Sequence, residues 1–86
     1  MTRRRQPEGE VFGQHLRELR QKRGVTQHDL AVASGLTDAY VSNMETGIAV
    51  PSLTTVLRLA VALDCKVTAL TVVFDKTPDL KALLPK

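Results

Sequence analysis

The chain reads as all-α: one compact bundle of five short helices. Three observations predict this. Apolar residues recur at spacings of three and four along most of its 86 residues. Glycines and capping residues cut that pattern into short segments. The one stretch rich in β-branched residues, 66–74, would be a strand with no partner. A chain this short holds a single core. Its 43% apolar and 24% charged residues are an ordinary globular balance.

The first helix is expected over residues 9–23, with Phe12, Leu16 and Leu19 on one stripe and Arg17, Arg20, Lys22 and Arg23 largely elsewhere. Gly24 then supplies a left-handed stop after two cations suited to the negative end of the helix dipole. Thr26 caps the second helix, with Asp29 three residues on in a capping-box position. Leu30, Ala31 and Ser34 follow, and Gly35 stops the helix after about two turns. Thr37 caps the third helix, residues 38–46, which Gly47 ends; Leu36, Val41 and Met44 point to the core. Pro51 and Ser52 open the fourth, where Leu53, Val56, Leu57, Ala60 and Leu63 keep helical spacing. A short fifth helix is preferred over a strand for residues 66–74, and Leu80, Leu83 and Leu84 allow one or two further turns. The expected organisation is a basic flexible arm over 1–8, a domain over 9–74, and a tail over 75–86 that extends a dimer contact.

Charge narrows the function classes. Residues 1–23 carry seven Lys or Arg against three Glu, whereas residues 24–63 carry only Arg58 against Asp29, Asp38 and Glu45. A basic end points to a polyanion, and Arg3, Arg4 and Arg5 are its densest part. That Phe12, Tyr40 and Phe74 are the only aromatics argues against a base-stacking platform for single strands. Cys65 is alone, so no internal disulfide or Cys-rich zinc site is expected, and a small buried thiol is its simplest role. No apolar run reaches the ~20 residues of a membrane span, no signal peptide is visible, and the chain reads as cytoplasmic. His15 and His28 fall on expected exposed faces without an evident carboxylate orienter, and no metal spacing or phosphate-cradling glycine loop appears. Neither an enzyme nor a cofactor is expected.

Residues 27–47 carry the information. A two-turn helix, a glycine turn and a second short helix form a helix-turn-helix, with small Ala31 where the two must approach closely. Gly24-Val25-Thr26-Gln27, Leu30-Ala31, Ser34-Gly35-Leu36-Thr37, Tyr40-Val41-Ser42, Glu45, Gly47, Pro51-Ser52-Leu53 and Leu59-Ala60-Ala62-Leu63 stand in an order and spacing that resemble the lambda-repressor-like (Cro-type, Xre-type) helix-turn-helix family. The resemblance covers roughly residues 11–74. It implies that helix three lies in the major groove of double-stranded DNA. Positions similar to the family's base readers are Asp38, Ala39, Ser42 and Asn43. By chemistry, Asn43 suits adenine, Ala39 a thymine methyl and Asp38 cytosine N4. The family places a phosphate contact at Gln27. Thr37 suits a phosphate contact as well as its cap, and Tyr40 allows either edge packing or a hydroxyl offered to phosphate. Arg20 and Glu45 resemble a shared, largely buried ion pair. One departure is the loop Ile48-Ala49-Val50, uncharged where relatives often place cations; phosphate contacts must then come from backbone amides, Gln27, Ser42 or the arginine-rich start, which gives Arg3, Arg4 and Arg5 a role.

Leu70, Val73 and Phe74, with Leu80, Leu83 and Leu84, supply more apolar surface than one small domain readily covers; they either complete the core or form a two-fold interface, and Leu70, Val73 and Phe74 are assigned to a homodimer interface. The expected function is a homodimeric, sequence-specific transcriptional regulator, a repressor reading a palindrome. Two alternatives remain open: an antitoxin that also binds a toxin, and a protein-interaction adaptor that has lost base reading, which Asp38 and the uncharged loop keep in view.

Overall fold

The computed structural model describes residues 6–76 and 80–85. Five helices follow in order: α1 (Pro7–Lys22), α2 (Gln27–Ser34), α3 (Asp38–Glu45), α4 (Leu53–Ala62) and α5 (Val67–Thr71). A 3-10 turn, Val72–Asp75, continues α5, and another spans Leu80–Leu83. No strand occurs among the described residues. The β-branched stretch therefore completes the bundle as helix, as expected for a segment without a strand partner.

The first four starts have a local cause. Helix α1 begins at Pro7, two residues before the expected Gly9, because proline at the first position presets φ and lacks an N–H that would go unpaired there. Glu8 accordingly belongs to the helix and not to the arm assigned to 1–8. In α2 the Thr26 hydroxyl accepts from the Asp29 N–H at 3.0 Å, and the Asp29 carboxylate accepts from the Thr26 N–H at 3.0 Å. The Thr26 backbone donor foremost, and its side chain second, hold the Asp29 carboxyl below the usual carboxylate range. Thr37 accepts from the Tyr40 N–H, and Ser52 from the Thr55 N–H, at 3.1 Å each. Gly35 ends α2 with φ of 71°, a conformation that would strain any side chain.

Eight-residue helices are marginal alone, so packing must hold α2 and α3. The core consists of Phe12 and Leu16 from α1, Leu30 and Ala31 from α2, Val41 and Met44 from α3, Leu59 and Ala60 from α4, then Leu63 and Leu70. Burying each leucine contributes about 1.5–3 kcal/mol. Leu70 is fully buried, which corrects its assignment to a dimer surface: its side chain is already enclosed by its own domain. Phe74 is half-buried and stacks parallel on Phe12, ring centroids 6.4 Å apart. Removing its ring would therefore disturb the core as well as any contact with a second copy. Val73 is also half-buried.

Contact between α1 and α3 is made backbone to backbone. A β-carbon on Gly13 would fall on the Met44 carbonyl oxygen, far inside van der Waals contact, and within 2.8 Å of the Glu45 carbonyl oxygen. One turn earlier, Gly9 faces the Gly47 carbonyl oxygen in the same way at 3.1 Å. We expect Gly13→Ala to cost about 1–3 kcal/mol by forcing the two helices apart. Urea unfolding reads this directly; an unchanged midpoint would show that α1 and α3 are free to separate.

Candidate nucleic-acid interface

The expected reading helix is held from beneath by a buried ionic knot. Arg20 of α1 donates from Nε to Glu45 Oε2 at 2.6 Å and from Nη2 to Oε1 at 3.1 Å. The remaining Nη1 donates to the Val25 carbonyl at 2.9 Å. Glu45 Oε1 also accepts from Gln27 Nε2 at 3.0 Å. The Arg20 side chain retains 11% exposure and that of Glu45 only 2%. The hydrogen bond it donates to Glu45, reinforced by the carboxylate's charge and opposed by burial, holds the guanidinium even further above its ordinary range. The pair implied by resemblance is thus present, and it binds the end of α3 to α1, to the linker at Val25 and to the first residue of α2.

Above this knot, α3 turns Asp38, Ala39 and Thr46 outward, with Ser42 and Asn43 half-exposed between them. Val41 and Met44 face the core with no exposure. The four assigned base-reading residues therefore share the outward side, and all four are small or short. Thr37 is exposed but spends its hydroxyl as cap acceptor. Tyr40 is half-buried, packed against the core. Gln27 is half-buried, with its amide N–H₂ directed at Glu45, a role that sequence spacing alone did not reveal. Arg3, Arg4 and Arg5 lie outside the described residues. The uncharged loop after α3 is fixed by main chain: the N–H groups of Ile48 and Ala49 both donate to the Asn43 carbonyl, at 2.9 and 3.0 Å.

Both histidines differ from expectation. His15 is half-buried, and its Nε2 lies 2.6 Å from the Ala69 carbonyl oxygen, joining α1 to α5. His28 is exposed as expected, yet it does have a carboxylate partner: its Nδ1 lies 2.9 and 3.0 Å from the two oxygens of Asp38. Ten residues separate them in sequence, and the tight turn at Gly35 brings them together. Cys65 is half-buried against the core. Among the described residues, no three His, Cys, Asp or Glu side chains form a metal-holding group, and no helix is long and apolar enough to cross a membrane.

The family model described as "Helix-turn-helix domain" matches residues 11–71. The chain belongs to that family. It is 32% identical over 68 residues to an uncharacterized HTH-type transcriptional regulator, y4dJ, of Sinorhizobium fredii, covering 79% of this chain and 88% of the relative. Among solved structures, the restriction-modification controller protein C.AhdI from Aeromonas hydrophila superposes with a TM-score of 0.72 at 44% identity. That match covers 73% of this chain and 96% of the controller. The biofilm master regulator SinR, solved in complex with DNA, gives a TM-score of 0.66 at 26% identity over 70% of this chain and 97% of its own. These matches bear out the resemblance and the all-helical fold read from the sequence. This helix-turn-helix chain shares its fold with transcriptional regulators over most of the described domain.

Arg20→Ala would leave the Glu45 carboxylate buried with one amide donor. A loss of about 3–5 kcal/mol is expected. The paired change Arg20→Met with Glu45→Leu should recover much of it, because no lone charge then remains inside. Urea denaturation of the two variants beside the unaltered chain checks this; a small loss in Arg20→Ala would mean that the pair does not carry α3.

Proposed function

We propose that this chain is a sequence-specific double-stranded DNA-binding regulator that acts as a homodimeric repressor. The observation that carries this reading is the two-sided α3: outward Asp38, Ala39, Ser42 and Asn43 over a base of Val41, Met44 and the Arg20–Glu45 pair. Short outward side chains let a helix enter a groove ~12 Å wide. Asn43 pairs with adenine, Ala39 meets a thymine methyl, and Asp38 accepts from cytosine N4. Thr37, Tyr40 and Gln27 approach phosphates on either side, and Arg3, Arg4 and Arg5 add the charge that the motif lacks. For Gln27, the contact comes from the amide oxygen or the helix start, since its N–H₂ is held by Glu45. Family membership and the fold shared with a DNA-bound regulator support the reading.

Dimerisation moves from Leu70 to surface that is open. Leu53, Leu57 and Val61 stand one turn apart along α4, two of them more than 70% exposed, and Val32 of α2 faces solvent beside them. Val72, Leu83 and Leu84 are exposed in the last segment. Such a stripe is costly for a monomer and suits a two-fold contact. Two copies then address half-sites about one helical turn apart.

Occupancy of a palindrome by the dimer would repress by occlusion. An adaptor that has lost base reading is the second reading. It draws on one observation: no Lys or Arg occurs anywhere in residues 24–57.

Asn43→Ala is expected to relax preference at one base pair by about 1–3 kcal/mol, read by competition among variants of a duplex selected from a random pool. Equal weakening on every duplex would remove Asn43 from base reading. Absence of salt-dependent duplex binding by the unaltered chain would favour the adaptor. Val61→Glu, at a site 81% exposed, is expected to give folded monomers in sedimentation. Persistent dimers would place the contact elsewhere.

A further inference from the structure

The helix-turn-helix of this chain has an unusual charge inventory. From residue 24 to residue 57, across α2, the turn, α3, the loop and the start of α4, there is no Lys or Arg. The acidic groups there are Asp29, Asp38 and Glu45. Glu45 is answered by Arg20 from below, and Asp29 is engaged with the Thr26 cap. Asp38 remains, in the first turn of the reading helix and exposed at the surface that would meet phosphates. Unanswered, it opposes a polyanion. The one side chain in this span able to become a cation is His28, and its Nδ1 sits on both Asp38 oxygens.

We propose that His28 is a specificity- and affinity-determining residue of the DNA surface, acting with Asp38 as an imidazolium–carboxylate unit that binds duplex DNA in its protonated form. This rests on the DNA-binding reading above. Protonated His28 donates Nδ1–H to Asp38, cancelling the charge that would repel phosphates. It also fixes the carboxylate as an acceptor for cytosine N4. The opposite ring nitrogen then carries a second N–H, directed away from Asp38, for an acceptor on the duplex: a phosphate oxygen or a guanine edge. Neutral His28 can keep one of these donors but brings no positive charge.

The surroundings favour the protonated ring. The Asp38 hydrogen bond first, its charge second, and the charge of Asp29 more weakly hold the imidazolium above the usual histidine range; slight desolvation opposes them. Among the described residues of the other packed elements no competing cation intervenes. Arg58 of α4 lies beside Gly35 at the far end of α2, and Arg20 of α1 is committed to Glu45 and Val25. The sign follows. The pair's contribution to folding is complete below the ordinary histidine pKa and is lost as pH rises through the raised value. DNA adds negative charge and moves that loss higher still, so binding takes up a proton and weakens with rising pH.

The experiment uses the full chain and a fluorescent duplex that it selects from a random-sequence pool. Affinity is measured at constant ionic strength from about pH 5.5 to about pH 8.5. Above the His28 pKa, wild-type affinity is expected to fall by up to about tenfold per pH unit. His28→Gln should be weaker at low pH and lose this dependence. In Asp38→Asn, ring-proton NMR should show His28 titrating nearer the ordinary value. Uniform weakening of His28→Gln on all duplexes identifies the outward acceptor as phosphate; loss of preference at one base pair identifies guanine. Both support the unit. Coincident pH profiles for wild type and His28→Gln would overturn it and leave the DNA-binding reading intact. A complete absence of salt-dependent duplex binding would overturn both.

Discussion

A single bidentate contact between Arg20 and Glu45 organises the molecule, because it lies where three elements meet. The guanidinium fastens the α1 end to the linker at Val25, the carboxylate closes α3, and Gln27 brings in the start of α2. Buried ions are expensive to desolvate, and such a pair is weak evidence for raw stability. Its value here is positional. An eight-residue helix has little capacity to fix its own orientation, and Val41 with Met44 would tolerate small rotations that two charged hydrogen bonds and a carbonyl contact do not. The surface that α3 offers is therefore set by chemistry on its hidden side.

The helices were legible because their causes are local. Thr26, Thr37 and Ser52 each cap the helix that follows, and Gly35 takes the left-handed conformation its place between two helices required. The fifth helix needed one non-local inference, that a strand would lack a partner. What escaped local reading depended on enclosure. Leu70 and Phe74 share one apolar pattern, yet Leu70 is swallowed by the core and Phe74 is half-covered by Phe12. Periodicity says which residues lie together on a face; it does not say how completely another element will cover them. The same gap hid the exposed stripe on α4, whose Leu53 and Leu57 look like core residues by spacing.

At the candidate site, residue types and order were enough to place the helix-turn-helix and to anticipate the ion pair. The side-chain partners of Gln27 and His28 were not evident, since both lie across a turn whose geometry brings residues ten to eighteen apart into contact. A usable signal did exist for His28: it is the lone potential cation in a long stretch otherwise carrying only acids. Charge read by segment, with titratable groups included, points to it where a search for metal or catalytic spacing does not.

The glycine seat beneath α3 has a consequence for how such a protein diversifies. Since Gly13 receives the Met44 and Glu45 carbonyl oxygens and no side chain, the rod's height above α1 is set by main chain and not by what decorates its outer flank. Positions 38, 39, 42 and 43 can be exchanged without altering that height. One scaffold can thereby carry many different outer surfaces by editing four letters, while its foundations stay untouched.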